Sequence, residues 1–133
     1  MAKRLAGWEE RLLAAAEAWE HEPFRWEDGG CLAPAFDAVE AITGASPIER
    51  PSFAGEKCVA KFLVKLKAKT LEDALSRYFE TVPAALAWRG AIGVAEHDGV
   101  QSAVVNMGPF WIGKTRDGAI RLPRERVKTA FKV

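Results

Sequence analysis

The stretch AIGVAEHDGVQSAVVNMGPFWIGKTRDGAIRL, residues 91–122, decides the fold class. It divides into short β-rich runs: Ala91 to Ala95, Val100 to Met107, Phe110 to Lys114 and Ala119 to Leu122. Between them stand His97-Asp98-Gly99, Gly108-Pro109 and Arg116-Asp117-Gly118, where glycine or proline lets the chain reverse tightly. Together they read as an antiparallel meander of three to four strands. Pro123 suits the first position of a helix, so a terminal helix to Phe131 is expected after the sheet.

Upstream the period changes from two to 3.6. Leu5, Trp8, Leu12, Ala15 and Trp19 make one apolar stripe and predict a helix from Lys3 to Trp19. Leu32, Phe36, Val39 and Ile42 predict a second helix from Cys31 to Thr43, with Pro34 in its first turn and Gly44 as terminator. A third helix, Gly55 to Lys67, sets Val59, Phe62, Leu63 and Leu66 against a solvated row of Lys57, Lys61 and Lys65. Thr70-Leu71-Glu72-Asp73 is a capping signal for a short fourth helix ending near Phe79. The fold class is therefore α+β: one domain over residues 1–133, with a helical N-terminal half packed on a small antiparallel sheet.

Composition narrows the function classes. The chain is 49% hydrophobic and 28% charged, enough to bury a core without staples. Nineteen basic and eighteen acidic residues nearly cancel, which argues against nucleic acid or an acidic membrane as partner. Glu9, Glu10 and Glu17 interrupt the N-terminal stretch, so no signal peptide is expected. No apolar run approaches the ~20 residues that span a bilayer. Cys31 and Cys58 are too few for a disulfide scaffold and are expected to be reduced thiols. With His21 and His97 they show no zinc-type spacing, so neither metal nor cofactor is expected.

One arrangement is chemically pointed. Trp26-Glu27-Asp28-Gly29-Gly30-Cys31 is a glycine turn that delivers a cysteine to a helix N-terminus. Free N–H groups and the helix dipole stabilise a thiolate there, which makes Cys31 the candidate nucleophile. The competing reading is structural, because Cys31, Ala35, Ala38 and Ile42 share one helical stripe and free cysteine is commonly buried.

The tryptophan, the polar glycine stretch and the helix-opening cysteine resemble the start of the NlpC-type cell-wall peptidases, papain-like cysteine hydrolases that cut peptidoglycan peptides. The chain is more closely similar to a small phage- and prophage-borne family of unknown function related to them. The residues that carry this are Ala18-Trp19-Glu20, Pro23-Phe24-Arg25-Trp26, Ala38 to Gly44, and Asp117 to Pro123. The resemblance implies a papain-like NlpC-type core, other phage structural proteins as partners, and a place in the bacterial cytoplasm or the virion. The match to the peptidases breaks at the catalytic positions. Gly30 replaces the aspartate before the cysteine, Ala91 the aspartate of the Arg-Gly-Asp step begun by Arg89-Gly90, and Gln101-Ser102 the histidine that opens the next strand. A thiolate needs an oriented base, and none stands there. His97 falls in the expected Asp-Gly turn, and His21 at the end of helix one, where it favours the dipole without catalysis.

The expected function is thus a non-catalytic, degenerate NlpC-like domain, tail-associated and acting by binding. The alternative is an active cysteine hydrolase or amidase on peptidoglycan peptides with Cys31 as nucleophile. Among the five tryptophans, Trp111 beside Phe110 is the candidate for an exposed hairpin anchor for a partner protein.

Overall fold

The structure, a computed structural model, describes residues 3–52, 57–97 and 99–133. Gly55, where the third helix was expected to start, and Asp98 of the first turn lie outside them. Among the described residues are four α-helices: α1 (Trp8–His21), α2 (Ala33–Thr43), α3 (Cys58–Leu66) and α4 (Leu71–Ser76). Six strands follow: β1 (Glu80–Pro83), β2 (Ile92–His97), β3 (Val100–Asn106), β4 (Phe110–Thr115), β5 (Gly118–Pro123) and β6 (Thr129–Lys132).

The apolar stripes place the helices correctly. Leu32, Phe36, Val39 and Ile42 are all buried, and Gly44 closes α2 by donating its N–H to Glu40. The Thr70 hydroxyl caps α4, accepting from the Asp73 N–H at 3.0 Å. α1 starts at Trp8 instead of Lys3, because Gly7 takes a left-handed conformation, with φ of 73°, that interrupts the helix.

The sheet exceeds the expected three to four strands. All its pairings are antiparallel, in the order β1-β6-β2-β3-β4-β5. β2 to β5 form the meander read from residues 91–122, and β6 inserts between β1 and β2. The expected terminal helix is therefore wrong: a 3-10 turn at Arg124–Arg126 leads into a strand. Phe131 lies opposite Thr81 on one side and Ile92 on the other, so β6 is hydrogen-bonded along both edges. Its neighbours Ala130 and Phe131 are both fully buried on opposite faces of the sheet, a period of two that no helix satisfies.

Alternation divides the core. Ile92, Val105, Ile112 and Phe131 face the helices, while Ala95, Val104, Trp111 and Ala130 face a second cluster completed by Ala84, Ala87 and Val127. Gly93 makes room for it: a Cβ there would lie 2.6 Å from Val127 Cγ1 and 2.9 Å from the Trp111 ring. Trp111 is thus no exposed anchor. It is 0% exposed, and Phe110 is partly covered by the Arg121 guanidinium, 4.7 Å from its ring centre. The most exposed tryptophan is Trp88, at 56%. Among the described residues, no helix is long and apolar enough to cross a membrane.

Candidate functional site

The approach to Cys31 is built by a turn that requires glycine. Trp26–Asp28 forms a 3-10 turn, and Gly29 and Gly30 follow with φ of 108° and 57°, a left-handed region costly for other residues. A Cβ on Gly30 would also come within 3.0 Å of the Trp26 ring. A second 3-10 turn, Gly30–Leu32, carries Cys31 and runs directly into α2.

Arg50 holds this turn against α2. Its guanidinium donates to the Asp28 carbonyl at 3.0 Å, to Asp37 at 2.5 Å and to Glu40 at 2.9 Å. Asp37 also accepts from the Trp19 indole at 2.8 Å, so one carboxylate joins α1, α2 and the loop after α2. Burial alone would disfavour the Arg50 charge, but hydrogen bonds and charge from Asp37 and Glu40 outweigh it and raise its pKa above the ordinary value. Arg50→Ala is expected to lower stability by ~1–2 kcal/mol, since it breaks a partly buried network rather than one surface pair. The check is the urea midpoint, and an unchanged midpoint would mean that the clamp contributes nothing.

Cys31 is not the reduced thiol expected from composition. It is bonded to Cys58 at the start of α3, 27 residues on, with a Cα–Cα separation of 6.9 Å. The physical reason is placement: the glycine turn and the first turn of α3 both point a cysteine into one gap in the core. Both cysteines are buried, at 7% and 4% exposure. Cys31 Sγ also lies 4.0 Å from the carbonyl oxygen of Gln101, near the start of β3. A disulfide sulfur carries no proton, so this is a contact and not a hydrogen bond.

Beside the disulfide opens a cleft of about 660 Å³ at the hairpin ends of the sheet. Phe24, Trp26 and Leu63 supply an apolar wall, with the Phe24 and Trp26 rings edge to face at 4.7 Å. His97, Gln101 and Ser102 line the strand side. His97 is the last residue of β2, paired with Val100, and not a residue of the turn itself. The structure therefore brings Cys31, His97, Gln101 and Ser102 to one cleft. His21 ends α1 and is not part of the lining, and Arg89 is engaged with Glu9 at 3.6 Å. Among the described residues no three His, Cys, Asp or Glu side chains gather to hold a metal.

Lys114 was not singled out in the sequence, yet it lines the cleft while only 7% exposed. Its signal was parity. In β4 it shares a face with Ile112, and that face looks toward the helices.

Residues 3–133 match a family described as a domain of unknown function (DUF6950). No curated protein and no solved structure matches the chain.

Proposed function

The chain belongs to the DUF6950 family, and from that premise we propose that it is a non-catalytic, degenerate NlpC-like domain of a phage or prophage that acts by binding. One observation carries this reading. Cys31 opens the helical run into α2 against the start of β3, the arrangement that the peptidase resemblance implies, but Gln101 and Ser102 stand where a histidine would have to be. The sulfur is also tied to Cys58 and holds no proton or charge to use. The cleft beside it remains open and becomes the binding surface. A tail-associated place, with other phage structural proteins as partners, fits the disulfide better than the bacterial cytoplasm does, because such bonds persist on virions and not among cytosolic reductants.

The alternative hydrolase has one feature in its favour: His97 and Cys31 line the same cleft. A single experiment separates the two. In a Cys58→Ser protein, Cys31 is treated with iodoacetamide at about pH 6, where an ordinary thiol of pKa ~8.5 is almost wholly protonated. Alkylation no faster than that of free cysteine, with peptidoglycan peptides left intact, is the expected result. Rapid alkylation that His97→Ala abolishes, together with peptide cleavage, would establish the enzyme instead.

A further inference from the structure

We propose that Lys114 is the anchor of an anion subsite, and that the cleft takes a carboxylic acid with an aromatic or aliphatic body. The inference rests on the reading of this cleft as a binding site and names the chemistry it binds. Its first ground is a cation without a partner in the protein. Lys114 is more than nine-tenths buried, on the helix-facing side of β4, and no described residue gives its ammonium a hydrogen bond or an ion pair. Its stem is packed away while its ammonium keeps access to the cleft, so what completes it is water or an anion that enters there. Lys114 ends at the boundary of two cavities.

The two cavities differ in what they offer. The smaller, about 490 Å³, is lined by Glu22, Asp28 and Asp37 and also by Arg25 and Arg50, with Asp37 already paired to Arg50, so its wall is mixed in charge and mostly polar. The larger places Phe24, Trp26 and Leu63 within the same space as Lys114. Its volume, about 660 Å³, lies in the range that holds a small organic ligand. A ligand entering there sets its apolar body against the aromatic pair and its anionic end on the ammonium. Lys57 and Arg116 line the same cleft, alongside Asp117, and add to its preference for an anion. Inorganic phosphate has no apolar body to set against Phe24, Trp26 and Leu63, so a carboxylate that carries one is the better fit.

The test uses tryptophan fluorescence, since Trp26 lines the cleft. The full chain is titrated with 3-phenylpropanoate, with its neutral amide and with inorganic phosphate. Saturable binding of the acid is expected, with the amide weaker by about tenfold or more, the discrimination typical of a hydrogen bond to a charged group. Phosphate should not displace the acid. Lys114→Met should weaken the acid by a similar factor while leaving a cooperative thermal transition near that of wild type, because it keeps the packed stem and removes only the charge. That transition also certifies that the variant is folded. Equal binding of acid and amide, no binding of the acid, displacement by phosphate, or a Lys114→Met protein that binds the acid as wild type would each overturn the subsite. Cleavage of peptidoglycan peptides that depends on Cys31 would sink the binding-domain reading while leaving the Lys114 result intact.

Discussion

Reduction of the Cys31–Cys58 bond is expected to lower the unfolding free energy by about 3.5 kcal/mol, the value that chain-entropy arguments give for a loop of this size. The bond joins the glycine turn before α2 to the first turn of α3, two segments that otherwise share little regular structure. Cutting it releases the loop between them in the unfolded ensemble and loosens the wall of the cleft in the folded one. Urea unfolding with and without a phosphine reductant measures the difference. A thiol titration provides the control: no reactive thiol in the untreated protein, two after reduction and unfolding. Two freely reactive thiols at the outset, or coincident unfolding curves, would contradict the bond.

The second large effect belongs to Phe131. Phe131→Ala is expected to cost ~3–5 kcal/mol, the range for truncating a wholly buried aromatic side chain. Phe131 is 0% exposed, packs in the core shared by the helices and the sheet, and sits between β1 and β2 in register with Thr81 and Ile92. The same substitution at the frayed end of a terminal helix, the element expected to run to Phe131, would cost far less. Chemical denaturation of the variant thus tests the position of β6 as well as the packing. A loss under ~1 kcal/mol would return residues 124–131 to the periphery.

That contrast shows where the sequence was legible. α2 could be read because Leu32, Phe36, Val39 and Ile42 repeat at helical spacing between Pro34 and Gly44, with every local signal agreeing. The meander could be read because three glycine turns punctuate it. β6 could not. Pro123-Arg124-Glu125-Arg126 carries helix-start chemistry, and the four residues of β6 hold too few side chains to display a period. Their conformation is imposed by β1 and β2, which offer backbone partners on both sides, and such tertiary pairing overrides local propensity. β1 was hidden in the same way, being four residues long and ending in Pro83.

The site was legible in one half. The glycine turn did deliver Cys31 to the start of the second helical run, as Gly29 and Gly30 implied. Its partner was not foreseeable, because nothing in the spacing of Cys31 and Cys58 says that α3 returns to the same gap. His97 was assigned to a turn because Asp-Gly follows it, whereas β2 extends through it and carries it to the cleft. Lys114 was hidden by its neighbours: between Gly113 and Thr115-Arg116-Asp117 a lysine reads as the polar end of a hairpin.

The place of β6 also sets the order in which the molecule can be assembled. β6 follows the other five strands in sequence yet fills an interior position, and the Val133 carbonyl accepts from Arg4 Nε at 3.0 Å, across 129 residues of sequence. Until residues 129–132 have left the ribosome, β1 and β2 each present an unpaired edge, and the apolar seat of Phe131 stands open. The helices and the β2–β5 meander rest on local contacts and form early, whereas the closing step must pay for the longest loop in the molecule. A nascent chain arrested before β6 is therefore the species most exposed to edge-to-edge aggregation, and the one a chaperone would be expected to hold.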